Sequence, residues 1–268
     1  MSRLERGVRL TAVRTAPGSK LSLWLAAADG RELLAIDADR RLPAASTIKV
    51  LILVEGFARE LEGNFKWTDS RTLLDSDRVG GTGSMQREKT GSSWTYLQMA
   101  RRMIAESDNT ASNILLGRLG MEQVNGRAEK LGLVETRFGR EFMDWDARRE
   151  GKENWTTARE MGHLMGLIYR REILTPGVCD DMIAILERTS RGRIAAGISK
   201  DVAVGHKGGT IPGLRADAGW VRLPGRPYLL SIFVDNVMER EEGKEDRGVA
   251  AIEAMAGLVY DEMGPTEE

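Results

Sequence analysis

Ser46 and Lys49 stand three residues apart in Pro43-Ala44-Ala45-Ser46-Thr47-Ile48-Lys49, and Val50, Leu53, Val54, Phe57 and Leu61 follow at a spacing that predicts a helix. Positions i and i+3 share a helix face, so the hydroxyl and the amine are expected within reach of each other. A lysine at its ordinary pKa of about 10.4 is no base at neutral pH. Burial and a neighbouring cation lower that value, and a neutral amine can then take the proton of a serine nucleophile. The helix N-terminus would add N–H donors and positive potential where an oxyanion develops. On spacing alone, a serine N-cap followed by a solvated lysine is the simpler account of the pair.

Two further segments carry suitable groups. Ser107-Asp108-Asn109 falls at a predicted break between helices, where a second hydroxyl can relay a proton and an asparagine amide can hold a lysine and a carbonyl together. Ser, Asp and Asn are also the preferred helix caps, so a capping role competes there. His206-Lys207-Gly208-Gly209-Thr210 lies at the end of a predicted strand. Lys207 could meet an anion, Gly208 and Gly209 would let a substrate approach the strand edge, and a strand N–H there could donate to an oxyanion. A surface hairpin turn explains the paired glycines equally well.

Other chemistries lack residues. Only two histidines and one cysteine, Cys179, occur, so a Ser-His-Asp or Cys-His hydrolase, a disulfide framework and a zinc site are all disfavoured, and neither a metal nor an organic cofactor is expected. No G-x-x-x-x-G-K-[ST] or post-strand G-x-G-x-x-G loop is present to cradle phosphates. Lys+Arg 39 against Asp+Glu 40, interleaved along the chain, gives a net charge of -1 and offers no basic surface for nucleic acid. No apolar run approaches membrane-spanning length and Met1 to Val13 lacks a signal-like core. A cytoplasmic protein without membrane attachment is the expectation, or a secreted or periplasmic one where a leader has been removed.

With 268 residues, 41% of them hydrophobic, the chain suits one large domain or two lobes sharing a core. Leu21 to Ala27 and Arg31 to Ile36 predict a β-hairpin, and Val202 to Lys207, Arg215 to Leu223 and Tyr228 to Val234 predict three more strands. Helices are predicted after Ser46, over Leu97 to Ile104 and Asn113 to Leu119, then over Thr157 to Arg171, Pro176 to Arg188 and Lys244 to Met263. Val134 to Trp155 is polar and aperiodic, a length at which loops are usually functional or disordered. Strands at both ends and helices between them predict an α+β fold. Its antiparallel five-stranded sheet comes from the N- and C-terminal strands, flanked by helices, with an all-helical lobe inserted. The expected lobes are 1–45 with 190–268, and 46–189, with the site between them.

The order S-x-x-K at Ser46, S-D-N at Ser107 and a lysine strand at Lys207 resembles the class A β-lactamase and penicillin-binding serine hydrolase family. The resemblance implies that Ser46 is acylated, Lys49 accepts its proton, Ser107 passes a proton to the leaving nitrogen and Asn109 positions the substrate amide. Lys207 would meet a carboxylate, Gly209 would admit the substrate closely, and Ser46 and Thr210 would supply the oxyanion donors. Asp108 and Asp217 are expected to be structural. The implied partner is a small β-lactam or related amide or ester, opened by hydrolysis; an esterase or peptidase, or a penicillin-binding sensor that stays acylated, would use the same residues. Oligomeric state is not legible. Two positions depart from the family pattern. Gly208 stands where Ser or Thr usually follows the lysine, and Phe142 stands where the long loop usually carries a water-activating glutamate. A one-residue bulge would bring Glu141 into that place as the catalytic carboxylate.

Overall fold

The computed structural model describes residues 1–188, 192–238 and 245–264. Five strands form one antiparallel sheet: β1 (Lys20–Ala27), β2 (Glu32–Ile36), β3 (Val204–Ile211), β4 (Leu214–Val221) and β5 (Tyr228–Asp235), in the order β2-β1-β5-β4-β3. The two terminal parts of the chain thus meet at β1 and β5, paired from Lys20↔Asp235 to Ala27↔Tyr228. Every residue of β4 is buried, the signature of a strand covered on both faces.

The helices are α1 (Arg3–Thr15), α2 (Lys49–Leu61), α3 (Tyr96–Ala105), α4 (Asn109–Leu119), α5 (Met121–Lys130), α6 (Trp145–Arg149), α7 (Ala158–Tyr169), α8 (Pro176–Glu187), α9 (Arg193–Ala196) and α10 (Arg247–Met263). On one sheet face, α1 and α10 close a core of Val8, Leu23, Leu25, Leu230, Ile232, Ile252 and Val259. On the other, α7 packs on β1, β4 and β5, and a larger core continues from Trp24 and Trp220 into the buried α2 and the helices around it. Helix α7 can lie close because Gly162 faces Trp24; a Cβ there would come within 2.2 Å of the indole. None of the described helices is long and apolar enough to cross a membrane.

The structure departs from the sequence expectations at several elements. Strand β3 runs to Ile211, with Gly208↔Asp217 and Gly209↔Ala216 paired in register, so the paired glycines are mid-strand and Gly213, at φ 77°, makes the turn. Helices α1 and α5 were not expected. Each buries only two residues along its length, Val8 with Ala12 and Val124 with Ala128, too few to mark an apolar stripe. The long loop is less irregular than its sequence, since it holds α6 and a bridge from Arg137 to Trp155. Its end is also tied to the residues before Ser46 by the short ladder Leu42↔Thr156 and Pro43↔Trp155. The expected helix start at Lys244 and the lobe boundary at 189/190 lie outside the described residues.

Candidate active site

Ser46 sits in a single 3-10 turn, Ala45–Ile48, which feeds directly into α2 at Lys49. The residue before it, Ala45, holds φ 49°, an unfavourable left-handed conformation for a side chain with a Cβ and one that recurs at functional turns. The turn is braced from β3, because a Cβ on Gly209 would lie 3.0 Å from that of Ala45 and 3.1 Å from the Ser46 nitrogen. Gly209 therefore sets how near the strand comes to Ser46.

Lys49 is fully buried at the floor of the cleft. Its Nζ donates to the Ser107 carbonyl at 2.6 Å and to Asn109 Oδ1 at 2.9 Å, and lies 3.3 Å from the Ser107 hydroxyl. Burial first, and then the charge of Lys207, hold its pKa well below the ordinary lysine value, against an opposing pull from Asp108. A neutral amine has two N–H groups and one lone pair. A carbonyl and an amide oxygen occupy both donors, and the lone pair is left for a hydroxyl proton.

Ser107 also has a left-handed backbone, φ 56°. Its carbonyl is held by Lys49 and by the Thr82 hydroxyl at 2.7 Å, which keeps its side chain between two amines. Lys207 Nζ approaches Ser107 Oγ at 3.0 Å from the opposite side. Burial lowers the Lys207 pKa to about 8, with Asp217 opposing and Arg193 assisting. Asp108 points away from the cleft and caps α4, accepting from the N–H groups of Ala111 at 2.9 Å and Met85 at 2.7 Å. Asn109 completes its own bonding through Nδ2 to the Gly80 carbonyl at 3.1 Å.

These groups open onto two adjoining hollows. One, of about 430 Å³, is lined by Ser46, Ser107, Arg193, Lys207, Gly209 and Thr210 among others. The second, of about 320 Å³, is bordered by Ser46, Asn109, Thr210, Phe142, Met143 and Trp145, with Ile211 beyond. Ser46, Thr82 and Thr210 are common to both. The structure thus brings Ser46, Ser107, Asn109, Lys207, Gly209 and Thr210 around one cleft, with Lys49 beneath.

Glu141 is the exception. Its side chain is exposed and lines a different hollow with Arg71, Asp77 and Asn113. The bulge that would turn it inward is absent, because the Asn113 side chain grips the next residue at both backbone groups. Asn113 Oδ1 accepts from the Phe142 N–H at 2.9 Å and Asn113 Nδ2 donates to the Phe142 carbonyl at 3.0 Å. Phe142 consequently faces the site, with its ring centroid 4.5 Å from Lys49 Nζ. The loop around it is rigidified by the buried pair Arg140–Glu153 at 2.7 Å, with Arg148 on the second Glu153 oxygen at 3.1 Å.

Arg193 is a site residue that no sequence motif marked. From the first position of α9 its Nη1 donates to the carbonyls of Gly209 at 3.0 Å and Ala216 at 2.6 Å, and its Nη2 donates to the Thr210 hydroxyl. It adds a second cation beside Lys207. Together the groups can activate a hydroxyl, pass a proton to a leaving group and hold an anion. Among the described residues no cluster suited to a metal ion occurs.

A five-stranded antiparallel sheet between helices, with serine and lysine at the head of a buried helix, defines the architecture of the class A β-lactamases and penicillin-binding serine enzymes. A reconstructed ancestral class A β-lactamase superposes at TM-score 0.86 and 24% identity, covering 97% of this chain and 100% of that one. The family described as the beta-lactamase enzyme family matches residues 6–263, and the chain belongs to it. A beta-lactamase of Streptomyces fradiae is 28% identical over 234 residues, 82% of this chain and 74% of the relative. The structure of PBP-A is 29% identical at TM-score 0.86, with 98% of this chain and 96% of that one covered.

Proposed function

We propose that this protein opens β-lactam rings by acylation of Ser46 and releases the acyl group slowly. The observation that carries the first half is the buried Lys49 amine, bound to the Ser107 carbonyl and Asn109 and with its pKa held well below the ordinary lysine value by burial. In this reading Lys49 takes the Ser46 proton as Oγ attacks the lactam carbonyl, and the N–H groups of Ser46 and Thr210 receive the oxyanion. As the C–N bond breaks, the Ser107 hydroxyl gives its proton to the leaving nitrogen and recovers one from Lys49, with which it is in contact. Lys207 and Arg193 stand where the substrate carboxylate would lie.

The second half rests on Phe142. Hydrolysis of the ester needs a base to activate water, and the loop side chain turned toward Lys49 is a phenyl ring. The likeness to PBP-A supports the same reading, since a variant of that protein, 28% identical to this chain, is described as an acyl-enzyme complex with penicillin G.

Intact-mass spectrometry over time with a penicillin tests both halves. An adduct of one penicillin that persists for many minutes is expected. A protein that clears penicillin without accumulating the adduct would overturn slow release, and no adduct with no turnover would overturn acylation. An activated ester tried beside it separates the esterase alternative, which predicts faster turnover of the ester.

A further inference from the structure

The segment Gly80-Gly81-Thr82-Gly83 lies against Ser107-Asp108-Asn109, and its exposed Thr82 borders both hollows of the cleft. The Thr82 hydroxyl donates to the Ser107 carbonyl at 2.7 Å, and the Thr82 carbonyl accepts from the Asn109 N–H at 3.1 Å. One residue thus grips the motif on both sides of Asp108. The segment is itself secured by Gln86, whose Nε2 donates to the carbonyls of Gly81 at 2.9 Å and Gly83 at 3.0 Å. So close an approach needs glycines beside Thr82. A Cβ on Gly81 would lie 2.6 Å from Asn109 Nδ2, and one on Gly83 would lie 2.4 Å from Asp108 Cα.

The Ser107 carbonyl therefore accepts from two groups, Lys49 Nζ at 2.6 Å and the Thr82 hydroxyl at 2.7 Å, which occupy both of its lone pairs. A carbonyl that accepts from a lysine favours the charged ammonium. A second donor on the same oxygen draws on the same negative charge and leaves less of it for that ammonium. The other groups facing Lys49 are Asn109 Oδ1 at 2.9 Å, the Ser107 hydroxyl at 3.3 Å and the Phe142 ring, with Asp108 favouring the ammonium and Lys207 opposing it. The bond from Thr82 acts in the same direction as Lys207, from the opposite end of Ser107.

We propose that Thr82 is a positioning residue which, by donating to the Ser107 carbonyl, holds Ser107 in its left-handed conformation and keeps the Lys49 amine available as a base. The inference rests on the reading in which Lys49 takes the Ser46 proton, and it adds a residue that acts on that step through Ser107 alone. Thr82→Val removes the donor and keeps the shape of the side chain. Thr82→Ser keeps the donor.

Lys49 is titrated directly by NMR of the protein carrying isotope-labelled lysine, with spectra of Lys49→Gln and Lys207→Gln assigning the two cleft amines. Thr82→Val should raise the pH at which Lys49 titrates by about half a unit, and Thr82→Ser should leave it near the parent value. Adduct formation with a penicillin, followed by intact mass across pH, should move in step. In Thr82→Val its acidic limb should shift upward by about half a unit, so that the rate below that limb falls about threefold while the basic limb stays in place. A loosened cleft would instead lower the rate at every pH and leave the titration where it was. An unmoved Lys49 titration in Thr82→Val, or a Thr82→Ser protein that behaves like Thr82→Val, would overturn the proposal. A shifted titration without an adduct in any of these proteins would support the role of Thr82 and strike the acylation reading instead.

Discussion

Lys49 and Lys207 flank the Ser107 hydroxyl, and their two depressed pKa values give the site a definite pH response. Acylation should rise with pH as Lys49 loses its proton. It should fall as pH passes about 8 and Lys207 gives up the charge proposed to meet the carboxylate. The rate of adduct formation against pH is expected to be bell-shaped, and a profile still climbing well above that value would contradict the assignment of Lys207. The linkage to stability has the opposite sense from a stabilising ion pair. Lys207 titrates at about 8 folded against 10.5 unfolded, so the unfolded chain binds more protons between these values and stability should rise with pH across that window. Ser46→Ala should abolish the adduct in intact-mass measurements and leave the melting temperature nearly unchanged, since the half-buried hydroxyl contributes little packing. Phe142→Glu places a carboxylate where the ring now lies and should shorten the life of the acyl-enzyme by about tenfold or more. An adduct that persists just as long would show that something other than the missing base limits release. These residue-scale readings began in the sequence, where Ser46, Lys49, Ser107, Asn109 and Lys207 were legible because serine, lysine and asparagine at those separations have few joint uses.

Among the elements, the long loop separates what was legible from what was not. Its polarity and length marked it as unusual, yet neither reveals which of two adjacent residues, Glu141 or Phe142, faces inward. That choice is made by Asn113 on α4, and it is held by the Arg140–Glu153–Arg148 cluster. Glu153→Ala leaves the buried Arg140 guanidinium without its carboxylate and should cost about 3–5 kcal/mol. Denaturant unfolding would register this as a lower midpoint, and amide exchange confined to residues 134–155 would register it as local opening; unchanged protection there would exclude the cluster as the loop's anchor. Gly208 and Gly209 show the same limit in a strand. Their type fits a turn, and only the pairing with Asp217 and Ala216 made them part of β3.

The whole molecule is organised by a sheet whose strands come from widely separated parts of the chain, buried against helices on both faces. Leu230→Ala, on β5 in the core shared with α10, should therefore destabilise the entire fold by about 2–5 kcal/mol and lower the melting temperature without altering the affinity of the folded site. Loss of the site ahead of global unfolding would show that the sheet and the cleft are less coupled than the packing indicates. The α+β class, the five strands and most helices were legible because hydrophobic periodicity is a local property of a sequence. Helices α1 and α5 escaped because partial burial leaves too few apolar residues to reveal a period. By itself the sequence determined which groups were available: a serine, an amine three residues on, a second hydroxyl and a cationic strand. Tertiary structure alone decided that Glu141 faces outward, that Phe142 covers Lys49 and that Arg193 joins Lys207. Those outcomes depend on contacts between residues far apart in the chain, and the direction of a side chain in an irregular segment is set by what its backbone is bonded to rather than by its own type.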